Sequence, residues 1–104
     1  MNIGDIVYVY LFDLEKSILH MEQLRDDRFG RITAINKRSI IGTNSNELVY
    51  HIKTHDKKLE YVTTNINYSI ISIPDLLDVI NKADLSADKR NALLEQIQKN
   101  VQQI

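Results

Sequence analysis

The apolar residues of this chain change period once, near Ser72, and that change constrains the fold more than any single motif. Before it, apolar and polar residues alternate. Leu48, Tyr50 and Ile52 fall on one side of an extended segment, and Val49, His51 and Lys53 on the other. A period of two marks a β-strand. After it, Leu93, Leu94, Ile97, Val101 and Ile104 recur at helical spacing among Lys, Arg, Asn, Gln and Glu. The chain has 104 residues, the size of one domain that buries roughly two-thirds of its unfolded surface around one core. The expectation is a β-rich α+β unit, with strands over 1–72 and a helical extension over 73–104.

The punctuation places the elements. Gly4-Asp5 launches a first strand, Ile6–Tyr10, and Phe29–Ile35 reads as a second with a bulge or bend at Gly30. Asn36–Asn46 reads as a loop. Glu47–Thr54 and Leu59–Thr64 form a hairpin around His55–Lys58. Asn65-Ile66-Asn67 is a tight turn before a short last strand, Tyr68–Ser72. Asp13–Asp27 fits either a long loop with a short hairpin or one or two helical turns, and both stay open. Ser72-Ile73-Pro74-Asp75 has the pattern of a capping box with proline in the first turn. Ser86 is a second N-cap. The two helices form a helical hairpin joined at 83–85.

Charge and cysteine usage narrow the function. Lys and Arg total 13 against 14 Asp and Glu, a net charge of −1. A dedicated nucleic-acid binder usually carries a basic surplus, although charge can be segregated onto one face. There is no cysteine, which excludes disulfides, thiolate metal sites and cysteine nucleophiles and points to the cytoplasm. Residues 1–5 lack the basic start and apolar run of a signal peptide, and the apolar run from Ile6 to Phe12 is too short to span a bilayer. Frequent Ile, Asn and Lys without Trp suggest an AT-rich coding source. That suits a phage or mobile-element accessory protein acting on a host factor.

Four stretches together resemble an SH3-like small β-barrel: Ile3-Gly4-Asp5-Ile6-Val7-Tyr8-Val9, Gly30-Arg31-Ile32-Thr33-Ala34-Ile35, Leu48-Val49-Tyr50-His51-Ile52 and Leu59-Glu60-Tyr61-Val62. The resemblance implies five barrel strands with an oversized first loop, ahead of the helical hairpin. It does not imply one function, because such barrels serve as peptide readers, nucleic-acid binders, toxins and structural modules. Gly4-Asp5-Ile6-Val7-Tyr8 also resembles the opening of MazF-type toxin ribonucleases. The Arg-Pro strand of those enzymes is missing, since Pro74 is the sole proline. No catalytic residue carries over.

No residue set carries a catalytic, cofactor or metal signature. His51 and His55 lie four apart on a strand and its turn, which reads as surface histidine, and His20 is distant. Asp26-Asp27 between Arg25 and Arg28 reads as a self-compensating charge cluster. The residues with most to offer a partner are Tyr8, Tyr10 and Phe12 on the first strand, with Arg28, Arg31 and Arg38 nearby. Leu94, Ile97, Val101 and Ile104 have the spacing of a coiled-coil seam, so they serve either self-association or docking of the helix on its own domain. A stripe that stays apolar to the last residue must be buried against something. The leading expectation is a non-enzymatic protein-interaction or regulatory module, with a homo-oligomer through the C-terminal helix. The alternatives are a nucleic-acid-binding SH3-like domain and a MazF-like ribonuclease.

Overall fold

The computed structural model describes residues 1–11, 14, 18–19, 24–65 and 67–104. Its elements are β1 (Ile6–Leu11), a 3-10 turn (Asp26–Arg28), β2 (Phe29–Ser39), β3 (Asn46–Thr54), β4 (Lys58–Val62), β5 (Tyr68–Ser72), α1 (Ile73–Lys82) and α2 (Ala87–Gln103). The five strands form one antiparallel sheet in the order β4-β3-β2-β1-β5. The α+β class and the strand count agree with the sequence reading. Phe12 and Ile66 lie outside the described residues.

The expected barrel does not close. β4 and β5 are the two edges of an open sheet and share no ladder. β2 explains why. It pairs with β1 only through Phe29, Gly30 and Arg31. A bulge between Ile32 and Ala34 then shifts its register, and the rest of the strand runs on with β3 alone as far as Ser39. The expected Asn36–Asn46 loop therefore shortens to residues 40–45, its flanks Asn36–Ser39 and Asn46 being strand, with the Arg38–Glu47 ion pair across them.

β1 lies between two apolar clusters. Val7 and Val9 join Ile32, Ile52 and Ile70 on one side, with Tyr50, Leu59, Tyr61 and Tyr68 half-buried around them. Tyr8 faces the other side, among Leu14, Ile18, Leu24, Phe29, Leu76, Ile80, Leu93 and Ile97. The sequence reading offered Tyr8, on β1, to a partner. Instead Val7, Tyr8 and Val9 are exposed by only 0%, 4% and 4%, because the helices cover the face that the curled sheet does not. Leu14 and Ile18, both helical, close that second cluster.

The helices begin where their caps say. Ser72 Oγ accepts from the Asp75 N–H at 3.4 Å, and Ser86 Oγ from the Lys89 N–H at 3.2 Å. Arg90 on α2 donates to the Ala83 carbonyl at 2.8 Å, satisfying the end of α1. α2 is then clamped to the 3-10 turn. Gln96 brackets Leu24, accepting from its N–H and donating to its carbonyl. Gln96 and the buried Asn100 both donate to Asp26 Oδ1, at 2.8 and 2.7 Å.

Those two hydrogen bonds, from Gln96 and then Asn100, hold the Asp26 carboxyl below its ordinary value of 3.8. The sign follows from linkage. A carboxyl whose folded pKa is depressed contributes stability that is present above the unfolded value and is lost as pH falls through the folded one. Asp26→Ala is expected to cost about 1 kcal/mol at neutral pH, after discounting for its solvent exposure. A loss of that size lowers the melting temperature by roughly 4–8 °C. The variant should also lose less stability than the parent between neutral pH and pH 3, measured by thermal unfolding at each pH.

Candidate partner-binding recess

The end of β1, Leu14 and the approach to the 3-10 turn together leave a recess of about 150 Å³. Tyr8, Val9, Tyr10, Leu11, Leu14, Leu24, Arg25 and Arg28 line it. β1 brings the two tyrosines, and the turn brings the arginines. Tyr8 is fixed: its ring meets Phe29 at 4.8 Å between centroids, and its hydroxyl accepts from the Arg25 N–H at 3.2 Å. Burial pushes the Tyr8 phenol up, against the pull of the Arg25 amide and of the nearby Arg25 and Arg28 charges. Tyr10 is half-buried and Leu11 exposed.

The two arginines differ. Arg25 is held by Asp27 through two bonds, Nε–Oδ1 at 3.1 Å and Nη2–Oδ2 at 2.9 Å, and Lys57 approaches the same carboxylate at 3.4 Å. Arg28 has neither an ion pair nor a side-chain hydrogen bond among the described residues. A guanidinium with no partner among the described residues, beside an apolar recess, is suited to an external anion. No histidine or carboxylate lines the recess among the described residues.

The structure brings together Tyr8, Tyr10 and Arg28 but not the rest of the expected set. Tyr8 belongs to the core, a correction to its place on a binding surface. Arg31 donates to the Gly4 carbonyl at 2.6 Å and to Ile104 O at 3.4 Å, tying β2 to the N-terminal turn and to the end of α2. Arg38 lies far along β2 and is paired with Glu47, which also accepts from Thr64 at 2.6 Å. Ile97 is buried, and Leu94, Val101 and Ile104 are half-buried on the same cluster, so the helical stripe packs into a cluster of its own chain that includes Leu76 and Ile80 of α1 and Tyr8 and Phe29 of the sheet. Asp26 and Asp27 point to different partners and form no dyad. His51 sits between Asn36 at 3.0 Å and Glu60 at 3.5 Å. Among the described residues no three His, Asp or Glu side chains converge as metal ligands, and no helix is long and apolar enough to cross a membrane.

The sequence reading missed Leu11, Leu14 and Leu24 as recess walls. It also missed Lys53, which joins Arg31 and Lys58 in a row of cations in register across three strands, Arg31 opposite Lys53 and Lys53 opposite Lys58. The period of two in β3 could have shown that row once the hairpin register was known. Comparison with known proteins finds no match among family models, curated proteins or solved structures.

Proposed function

We propose that this protein is a non-catalytic protein-binding module whose contact face is the recess between Tyr10, Leu11 and Arg28. The observation that carries the reading is the combination of an apolar recess with an arginine free of partners among the described residues. Interface anchors are typically aromatic or arginine side chains around a desolvated pocket. The fold supports the same reading. A long first connection, a bulged β2 and a β5 that returns beside β1 fit an SH3-like sheet left open at its edges, and such sheets serve as peptide readers among other roles. Immobilised protein is expected to retain a specific partner from a native lysate, and Arg28→Glu and Tyr10→Ala are expected to release it. A partner retained equally by both variants would move the contact face elsewhere.

A second reading, nucleic-acid binding, is favoured by the row Arg31–Lys53–Lys58. Like charges directly opposite each other on a sheet are destabilising, and no Asp or Glu side chain pairs with any of the three among the described residues. A polyanion would relieve that repulsion. This reading predicts salt-sensitive retention on single-stranded DNA or RNA that is lost in Lys53→Glu and Lys58→Glu. The absence of any retention at low salt rules it out.

A further inference from the structure

We infer that the recess takes one ring-sized apolar side chain carried next to an acidic residue, so that the partner is an acidic segment with a single aromatic or branched aliphatic anchor. The inference rests on the protein-binding reading above and specifies its partner. Size comes first. A void of about 150 Å³ is the scale that admits a benzene ring. It holds one side chain and excludes a helix or a drug-sized ligand.

Chemistry comes second. The side-chain walls offered by Leu11, Leu14 and Leu24 are carbon, and the Tyr8 hydroxyl already accepts from Arg25. A nucleobase lodged there would bury ring nitrogens and exocyclic groups with few partners, which is costly. A phenyl or isobutyl group has no such requirement. Charge comes third. Asp27 pairs with Arg25, and Arg28, which has no partner among the described residues, is placed to take a carboxylate just outside the recess. The guanidinium fork matches a carboxylate in two parallel bonds.

Three capped tripeptides, Glu-Phe-Glu, Lys-Phe-Lys and Glu-Ala-Glu, test this on the full chain by amide shift perturbation. Glu-Phe-Glu is expected to shift the amides of Tyr10, Leu11 and Arg28, with affinity falling roughly tenfold in Arg28→Gln. The other two peptides should leave those amides unmoved. Arg28→Gln keeps the apolar walls, so its spectrum away from the recess reports whether the fold is intact. Glu-Phe-Glu leaving these amides unmoved at millimolar concentration would overturn the inference, as would equal binding of Lys-Phe-Lys. So would an oligothymidylate shifting the same amides more strongly than Glu-Phe-Glu. If the tripeptides fail while a lysate partner still depends on Tyr10 and Arg28, the partner class is wrong and the module reading stands. If both fail, the recess is not the contact face.

Discussion

Gly30→Val is expected to abolish the cooperative fold, and Gly30→Ala to weaken it measurably. Gly30 sits where β2 leaves β1, opposite Val7 on one side and Thr54 on the other. A Cβ at this position would lie 2.5 Å from Ile52 Cγ2 and 2.9 Å from the Lys53 carbonyl oxygen. The first contact could ease by a rotamer change. The second is backbone, so β3 itself must move. Overpacking a well-filled core costs about 1–3 kcal/mol for a small excess, and a β-branched side chain adds two further methyl groups. For Gly30→Ala that corresponds to a melting temperature lower by roughly 4 °C or more. Thermal unfolding followed by circular dichroism measures it. An alanine variant as stable as the parent would mean that β2 and β3 do not approach this closely.

The second large effect is at Ile97. Its side chain is 2% exposed and lies with Phe29, Leu76, Ile80 and Leu93. Ile97→Ala should remove about 2–5 kcal/mol, the range for truncating a buried aliphatic side chain and leaving a cavity. Leu94→Ala and Val101→Ala remove half-buried groups from the rim of the same cluster and should each cost less. Urea unfolding of the three variants gives the order. A self-association seam predicts something else: comparable losses along the whole stripe, with midpoints that depend on protein concentration.

The parts of this fold that were legible in the sequence are those set by neighbours in the chain. Ser72 and Ser86 cap their helices because the amides they accept from lie three residues away. The β3–β4 hairpin follows from alternation on either side of a polar turn. What was not legible depends on residues far apart. Alternation in β1 shows two faces but not that a helix packs on one of them, so Tyr8 read as a surface candidate. Gln96 and Asn100 carried no signal in the sequence because their partners, Leu24 and Asp26, lie 70 or more positions earlier. Asn36–Ser39 read as loop on composition, and pairing with β3 overrode that weak propensity. The recess depends on the same long-range closure. Arg28 and Tyr10 stood out as residue types, whereas the leucine walls between them take shape only once β1, Leu14 and the 3-10 turn meet.

The central claim is that α2 is part of the body, its apolar stripe buried by the same chain, which leaves the Tyr10–Arg28 recess as the face for a partner. Native-state hydrogen exchange at two widely separated protein concentrations tests this most directly. The account predicts that the amides of Leu93, Ile97 and Asn100 exchange as slowly as those of Val7 and Val9, at rates independent of concentration. Faster exchange in α2 than in β1, with protection that grows with concentration, would contradict it and assign the stripe to a second copy.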